Sequence, residues 1–489
     1  MTLKFLTLAV LLSAISFSVS FAQRVLSPLE IHRDLLSGQK SDSCVTNFKP
    51  IFFDNFSYDK TDSSDKFFKK VYKHFFETDF LSFTDDTSYG LTINPLFVFE
   101  TTSALDQPDK SKNLYTNSRG FEAYGYLGKK ITFYSSFLEN QAFVPSYIDS
   151  LISYSGELPG QGNVKAYKES GIDWAFSTAY LRYKPLKNLD FILGYGKQFI
   201  GSGYRSVILS DACFNYPFLR WNLSFGKFHY SGFWAVMQSQ GHGYVLYPER
   251  KYKYSTFSIF TFKPSVKAEI SFIEGIMWKN HKSNGSYTRN PDVMMLFPVT
   301  GLYSSIYGFD DDNKTLLALD FNYTVFNNIK FYSQFVYSGK EYEIVDETDS
   351  ESVNDYGFQF GVNVFDIFFN KFDNLLWQFR FEADLVRNNN SVDNTFAHYG
   401  NYLSMPVSTG DAVEFNAYNY LSYKRVYGEL RVRKYESDFF IKGEAGFILN
   451  KKTDWRLYCG AYKFQLDNLS GRYIVAGTKI NVFNFNYDY

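Results

Sequence analysis

From Tyr89 onward the chain alternates apolar and polar residues with a period of two. The alternation runs over segments of about ten residues or more, longer than the strands of most soluble sheets. Between Tyr356 and Val364 the set Tyr356, Phe358, Phe360, Val362 and Val364 opposes Gly357, Gln359, Gly361 and Asn363. From Trp377 to Leu385 the set Trp377, Phe379, Phe381, Ala383 and Leu385 opposes Gln378, Arg380, Glu382 and Asp384. From Phe439 to Leu449 the set Phe439, Ile441, Gly443, Ala445, Phe447 and Leu449 opposes Lys442, Glu444 and Gly446. Strands of this length suit a tilted crossing of a bilayer. Lipid satisfies no backbone polar group, so such strands must close into a ring.

The start of the chain fits that setting. Met1 to Lys4 carries one positive charge, Phe5 to Phe17 is apolar, and Ser20-Phe21-Ala22 offers small residues for cleavage. This pattern predicts a secretory signal peptide over residues 1–22. No cysteine adjoins the cleavage point, which excludes a lipoprotein. No run of about 18 apolar residues follows, so no transmembrane helix is expected. Cys44, Cys213 and Cys459 are widely scattered and lack metal-ligand spacing, although an oxidising compartment permits one disulfide. No cofactor is implied. A net charge of -1 argues against a broad nucleic-acid or anionic-lipid surface.

Two helices are expected ahead of the strands, in a helical periplasmic segment over 23–85. Ser27-Pro28-Leu29-Glu30 is a capping box with proline at the first helical position, and Gly38 is a favourable stop. A second helix is expected from Asp65 to Phe76. It places Phe67, Phe68, Val71, Tyr72, Phe75 and Phe76 on one face and Lys66, Lys69, Lys70 and Lys73 largely on the other. Its apolar face can lie on a membrane or pack on a neighbour; packing is the expected arrangement.

The connections separate a barrel from a soluble sandwich. Gly128-Lys129, Pro185-Leu186-Lys187, Gly226-Lys227, Lys263-Pro264, Phe326-Asn327-Asn328 and Lys451-Lys452 mark tight turns. Long polar insertions alternate with them, at 102–114, 142–170, 200–216, 240–252, 280–311, 341–352 and 388–412. Tight turns at one rim and long loops at the other are the habit of outer-membrane barrels, and the spans number about eighteen. The fold expected is therefore all-β: a transmembrane, outer-membrane antiparallel β-barrel over 86–489, in contact with outer-membrane lipid. Phe483, Phe485, Tyr487 and Tyr489 end the chain, as in strands recognised by the barrel-insertion machinery. The inward faces carry Arg380, Glu382, Glu429, Arg431, Arg433 and Glu444, a mixture of signs suited to a hydrated, internally paired lumen.

One stretch departs from the alternation: Gly196 to Trp221, GKQFIGSGYRSVILSDACFNYPFLRW. Gly201 and Gly203 allow unusual backbone shapes, but the third glycine and the Lys-Ser/Thr of a phosphate cradle are missing. The stretch resembles the signature segment of the capsule-assembly Wzi family, in particular the branch that includes gliding-motility outer-membrane proteins. TINPLFVF (92–99), NSRGFEAYGYLGKKITFYSSFLENQ (117–141), GIDWAFSTAYLRYKP (171–185), SFIEGIMW (271–278), LLALDFNY (316–323) and HYGNYLSMP (398–406) extend the resemblance over most of the mature chain. It implies an eighteen-stranded outer-membrane barrel with a small periplasmic helical part, and a lectin-like role binding capsular polysaccharide at the cell surface.

A saccharide site needs aromatic faces, hydroxyl-bracketing polar groups and, for uronic acids, a cationic fork. Tyr204 and Tyr216 can supply the faces. Lys197, Arg205 and Arg220 can meet acidic groups, and Ser206, Asp211 and Asn215 can take hydroxyls. Arg205 and Asp211 can equally pair with each other to hold the loop. The six histidines are scattered without a Ser/His or Asp/His signature, so no enzyme is expected. A diffusion channel, or a component of adhesion and gliding machinery, is the rival reading.

Overall fold

A strand is satisfied only with a hydrogen-bonded neighbour on each edge, and here the neighbours run full circle. The computed structural model describes residues 46–50, 67–85, 88–155, 157–158, 160–211, 213–238, 252–279, 297–309, 314–326, 328–346, 349–366, 374–387, 412–435, 438–466 and 469–482. The expected signal peptide, the Ser27–Gly38 helix, Cys44 and the terminal aromatic residues lie outside these.

The chain runs β1 (Phe48–Lys49), α1 (Phe67–Phe76), β2 (Leu81–Asp85), β3 (Tyr89–Ala104), β4 (Leu114–Leu127) and β5 (Ile131–Phe143). A loop follows with α2 (Ser146–Ser155), β6 (Glu157–Leu158), β7 (Gly162–Asn163) and β8 (Lys165–Tyr167). Next come β9 (Gly171–Leu186), β10 (Leu189–Gly196), β11 (Phe199–Ile200), β12 (Tyr216–Phe225), β13 (Phe228–Gln238), β14 (Tyr252–Ser265) and β15 (Ala268–Lys279). After α3 (Leu302–Tyr307) come β16 (Lys314–Val325), β17 (Ile329–Asp346), β18 (Asp349–Phe365), β19 (Leu375–Arg387) and β20 (Ala412–Tyr423). The last four are β21 (Val426–Tyr435), β22 (Asp438–Asn450), β23 (Trp455–Leu466) and β24 (Leu469–Ile480).

Eighteen strands form the closed antiparallel wall, with β2 and β8 as short additions. The ring closes where β24 pairs with the upper half of β3, from Ile480↔Phe97 to Tyr473↔Ala104. β2 takes over the lower half of β3, from Leu81↔Ile93 to Asp85↔Tyr89, so the seam is paired along most of its height.

The expected inside–outside assignment holds. On β16, Leu319, Phe321 and Tyr323 face outward while Asp320 and Asn322 are buried within. On β18 and β19, Phe358, Phe360, Phe381 and Leu385 are outside, and Gln359, Asn363, Arg380, Glu382 and Asp384 are inside. An apolar belt on this scale has no stable place in water. Phe360, 53% exposed, sits within that belt. Phe360→Arg is expected to lower the free energy of folding into phospholipid vesicles by about 2–4 kcal/mol, the midplane cost of a cation on a lipid-facing strand. Denaturant titration measures it, and an unchanged midpoint would place this face out of lipid.

Four expectations need adjusting. Residues 341–346 and 349–352 continue β17 and β18 as a paired hairpin, down to Asp346↔Asp349, instead of forming a loop. Beyond the bilayer both faces of a hairpin meet water, so polar residues on both are no obstacle to pairing. The turn expected at Lys263-Pro264 falls two residues later, because the β14–β15 ladder continues to Ser265↔Ala268. Within the stretch expected to be helical, residues 48–49 and 81–85 are strands, since each finds a sheet edge to pair with. The helix expected near Asp65 to Phe76 is present as α1 at the tight-turn rim, but the packing expected of its apolar face is not found: Phe68, Val71, Tyr72 and Phe75 remain exposed, and Phe76 makes the contact with the wall. Phe76 stacks on Trp455 at 5.9 Å, and Asn450 donates to the carbonyls of Phe75 and Thr78 at 3.0 and 2.9 Å.

Candidate functional site: a barrel filled from within

The connection from β10 to β12 lies at the rim opposite the tight turns and folds into the barrel. Two glycines let it hug the wall. At Gly201, φ is 138°, and a Cβ would fall 2.1 Å from Gln334 Nε2; at Gly203 one would fall 2.3 Å from Glu382 Oε2. Any other residue at either position would push the loop off its anchors.

Those anchors are inward-facing wall residues. Glu382 accepts from the amides of Tyr204 and Arg205 at 2.8 and 2.9 Å, and from Tyr332 Oη at 2.9 Å. Gln334 Oε1 accepts from Val207 N at 3.1 Å, while its Nε2 donates to the Ile200 carbonyl at 3.1 Å and to Asp320 at 3.0 Å. Gln359 Nε2 donates to the Arg205 carbonyl at 3.0 Å and to Asp384 at 2.8 Å. Arg205 pairs with Glu414 at 3.2 Å, so its pairing reaches across the barrel to the wall.

A second segment joins the filling. β1 pairs with β11, Phe48 opposite Ile200. Asn47 Nδ2 reaches Ser271 at 2.6 Å and Asp320 at 3.0 Å. Arg220 lies 3.5 Å from the Phe48 ring centroid and donates to the carbonyls of Phe48 and Pro50 at 3.3 and 3.1 Å. Between loop and wall, Ile200, Val207, Ile208 and Leu209 pack with Phe48, Phe233, Phe257, Met277, Leu316 and Val336. Against the loop this side of the lumen is therefore an apolar core where a hydrated space was expected. The inward faces of β12 to β17 mix the apolar residues that meet the loop with buried polar ones, among them Ser255, Lys263, Glu269, Asp320 and Gln334, and Lys263 pairs with Glu269 at 3.3 Å as expected of an internally paired lumen.

The protein is an outer-membrane β-barrel. A closed antiparallel wall with an even strand count, a lipid-facing belt and tight turns gathered at one rim is the architecture of that membrane. No family model matches the chain, and no curated protein matches it significantly. Among solved structures it is similar to Wzi of Escherichia coli, an outer membrane protein involved in group 1 capsule assembly and a carbohydrate-binding β-barrel. That likeness has 14% identity and a TM-score of 0.46 over 79% of this chain and 85% of that one. OccAB4 of Acinetobacter baumannii gives 7%, 0.44, 81% and 98% for the same quantities. OprD of Pseudomonas aeruginosa gives 7%, 0.42, 80% and 94%. These likenesses are weak, and neither a ligand nor a residue's role passes through them.

The residues singled out from the sequence divide into two groups. Arg205, Ser206, Asn215, Tyr216 and Arg220 are buried and knit the loop to itself and to the wall. Ser206 Oγ donates to the Ile200 carbonyl and accepts from Ile208 N and Leu209 N, both at 3.1 Å. Asn215 Nδ2 bonds Thr178 Oγ1 at 2.8 Å, and Tyr216 Oη accepts from Gln198 N at 3.1 Å. Lys197, Tyr204 and Asp211 remain partly accessible. Lys197 Nζ donates to the Gly160 carbonyl at 2.8 Å, and Arg205 lies 5.0 Å from the Tyr204 ring centroid. Cys213 is buried in this loop, and burial pushes its thiol up to about 12; Cys459 is exposed on β23, and both are free.

Open space survives on the other side of the lumen. A cavity open to solvent runs along β3, β4 and β21 to β24, bounded by Tyr147, Tyr458, Tyr462, Lys442, Glu444 and Lys479. Lys479 and Lys442 pair with Glu444 at 3.3 and 3.5 Å, and Tyr458 Oη donates to Glu100 at 2.8 Å. α2 covers its loop end, with the Tyr147 ring 4.0 Å from that of Phe464. Asp109 holds α2 in place by accepting from Ser146 N at 2.9 Å and from Tyr473 Oη at 2.6 Å. Burial acts to raise the Asp109 pKa, but these bonds and Lys112, 3.0 Å away, outweigh it and leave the carboxyl below its usual value. A smaller chamber, lined by Tyr204, Arg380, Tyr418, Arg431 and Arg433 among others, shares Arg431 and Phe440 with the large one. Apart from Tyr204, Arg380, Arg431, Arg433, Lys442 and Glu444, these residues were not singled out from the sequence. The alternation does put Tyr458 and Tyr462 on the inward parity.

Proposed function

We propose that this barrel binds surface or capsular polysaccharide in a lectin-like manner and helps to assemble or retain it at the cell surface. The observation that carries the reading is the larger cavity, where tyrosine faces stand beside a Lys–Glu–Lys cluster. Sugar rings present C–H faces to aromatics and hydroxyls to charged and amide groups, and both are supplied there. The resemblance of the 196–221 stretch to the Wzi family points the same way. Of the loop residues we assign glycan contact to Tyr204, Lys197 and Asp211, which are partly accessible, and the shaping of the loop to Arg205, Ser206, Asn215, Tyr216 and Arg220, which are buried. Delivery to the membrane falls to the barrel-insertion machinery.

Binding of isolated surface polysaccharide to the full chain in detergent micelles tests this. The wild type should retain the glycan, and Tyr462→Ala together with Tyr204→Ala should weaken retention several-fold. Failure of the wild type to retain any glycan overturns the reading; undiminished retention by the double variant moves the site elsewhere. A second reading, a narrow diffusion path, is favoured by the length of the same cavity, from Tyr147 on α2 to Val482 beyond β24. It would show as stepwise conductance by the wild type in planar bilayers. A role in surface adhesion or gliding is compatible with either.

A further inference from the structure

We infer that the smaller chamber seats a single carboxylate, that of an acidic sugar unit, with Arg380 as the group that takes it. This rests on the saccharide reading and narrows it to a chemical class. Arg380 is 1% exposed and lines the chamber, yet its Nε and Nη1 have no hydrogen-bond partner among the described residues. Its Nη2 faces the Asn363 amide oxygen at 3.2 Å once that amide is turned to satisfy its neighbours. Glu382, the next inward residue on β19, directs its oxygens to the amides of Tyr204 and Arg205 and to Tyr332, not to this guanidinium.

A buried guanidinium with two idle donors is costly unless something completes it. Its idle Nε and Nη1 lie on different edges of the guanidinium, so a carboxylate takes one charge-assisted bond from either of them. The chamber's other walls suit the rest of a sugar. Tyr204 and Tyr418 offer ring faces, while Arg431 and Arg433 stand as flanking positive groups already paired with Glu429 and Glu414 at 3.2 and 3.4 Å. The junction with the larger cavity at Arg431 and Phe440 gives a glycan bound there a way to place one unit inside.

The test titrates the full chain in detergent with sodium glucuronate, its methyl ester and glucose. Wild type should bind glucuronate and show much weaker binding of the other two. Arg380→Gln should lose about tenfold or more in glucuronate affinity, the share of one charge-assisted bond, with its heat-modifiable mobility intact. Equal glucuronate affinity in Arg380→Gln overturns the inference. So does equal wild-type binding of glucuronate and its ester, a comparison that holds even if the variant does not fold. A wild type that retains surface polysaccharide but ignores glucuronate refutes the carboxylate seat while leaving the saccharide reading standing.

Discussion

Excising Lys197–Asn215 and joining Gly196 to Tyr216 through an Asn-Gly turn is expected to turn a closed barrel into a conducting one. The surgery is local because Gly196 and Tyr216 already face each other in the β10–β12 ladder, where a two-residue turn can complete the hairpin. What leaves is the loop whose Ile200, Val207, Ile208 and Leu209 fill the space against Phe233, Phe257, Leu316 and Val336. Glu382 and Glu414 lose their loop partners, but water entering the lumen can solvate them. An eighteen-stranded wall is wide enough for an aqueous channel once its interior is emptied. Planar-bilayer recordings should change from no resolvable steps to steps of porin size. A variant that stays silent would mean that the loop is not what closes this barrel.

The wall was legible in the sequence because one face of each strand meets lipid, and lipid allows little but apolar side chains. Phe358 and Phe360 outside with Gln359 inside, or Phe381 outside with Glu382 inside, follow from parity alone. Parity says nothing about what an inward residue meets. Gln334, Gln359, Glu382 and Glu414 are recognisable as inward, but the loop they hold begins more than a hundred residues earlier, and only the closed ring brings it to them. The same limit explains Arg205 and Arg220. Both read as candidate ligand-binding cations in a polar loop, yet Arg205 pairs with Glu414 and Arg220 stacks on Phe48. Composition in the 196–221 stretch marked a special loop correctly; the depth to which it folds depends on contacts distant in sequence.

Glu382→Ala should release the loop while sparing the wall. The carboxylate is fully buried and holds two loop amides and the Tyr332 hydroxyl together. Removing it strands those donors and leaves the nearby guanidinium of Arg380 with one fewer counter-charge. Breaking a buried charged network in this way costs about 3–5 kcal/mol. The ladders of β18, β19 and β20 do not depend on that side chain, so the loss should fall on the loop. Limited proteolysis in micelles should cut near Tyr204 in the variant and not in the wild type, while heat-modifiable mobility stays that of a closed barrel. Glu382→Gln, which keeps one acceptor oxygen and the volume, should be intermediate. If Glu382→Ala protects the loop as well as the wild type does, the apolar packing of Val207, Ile208 and Leu209 suffices to hold it, and the polar anchors serve to set its register.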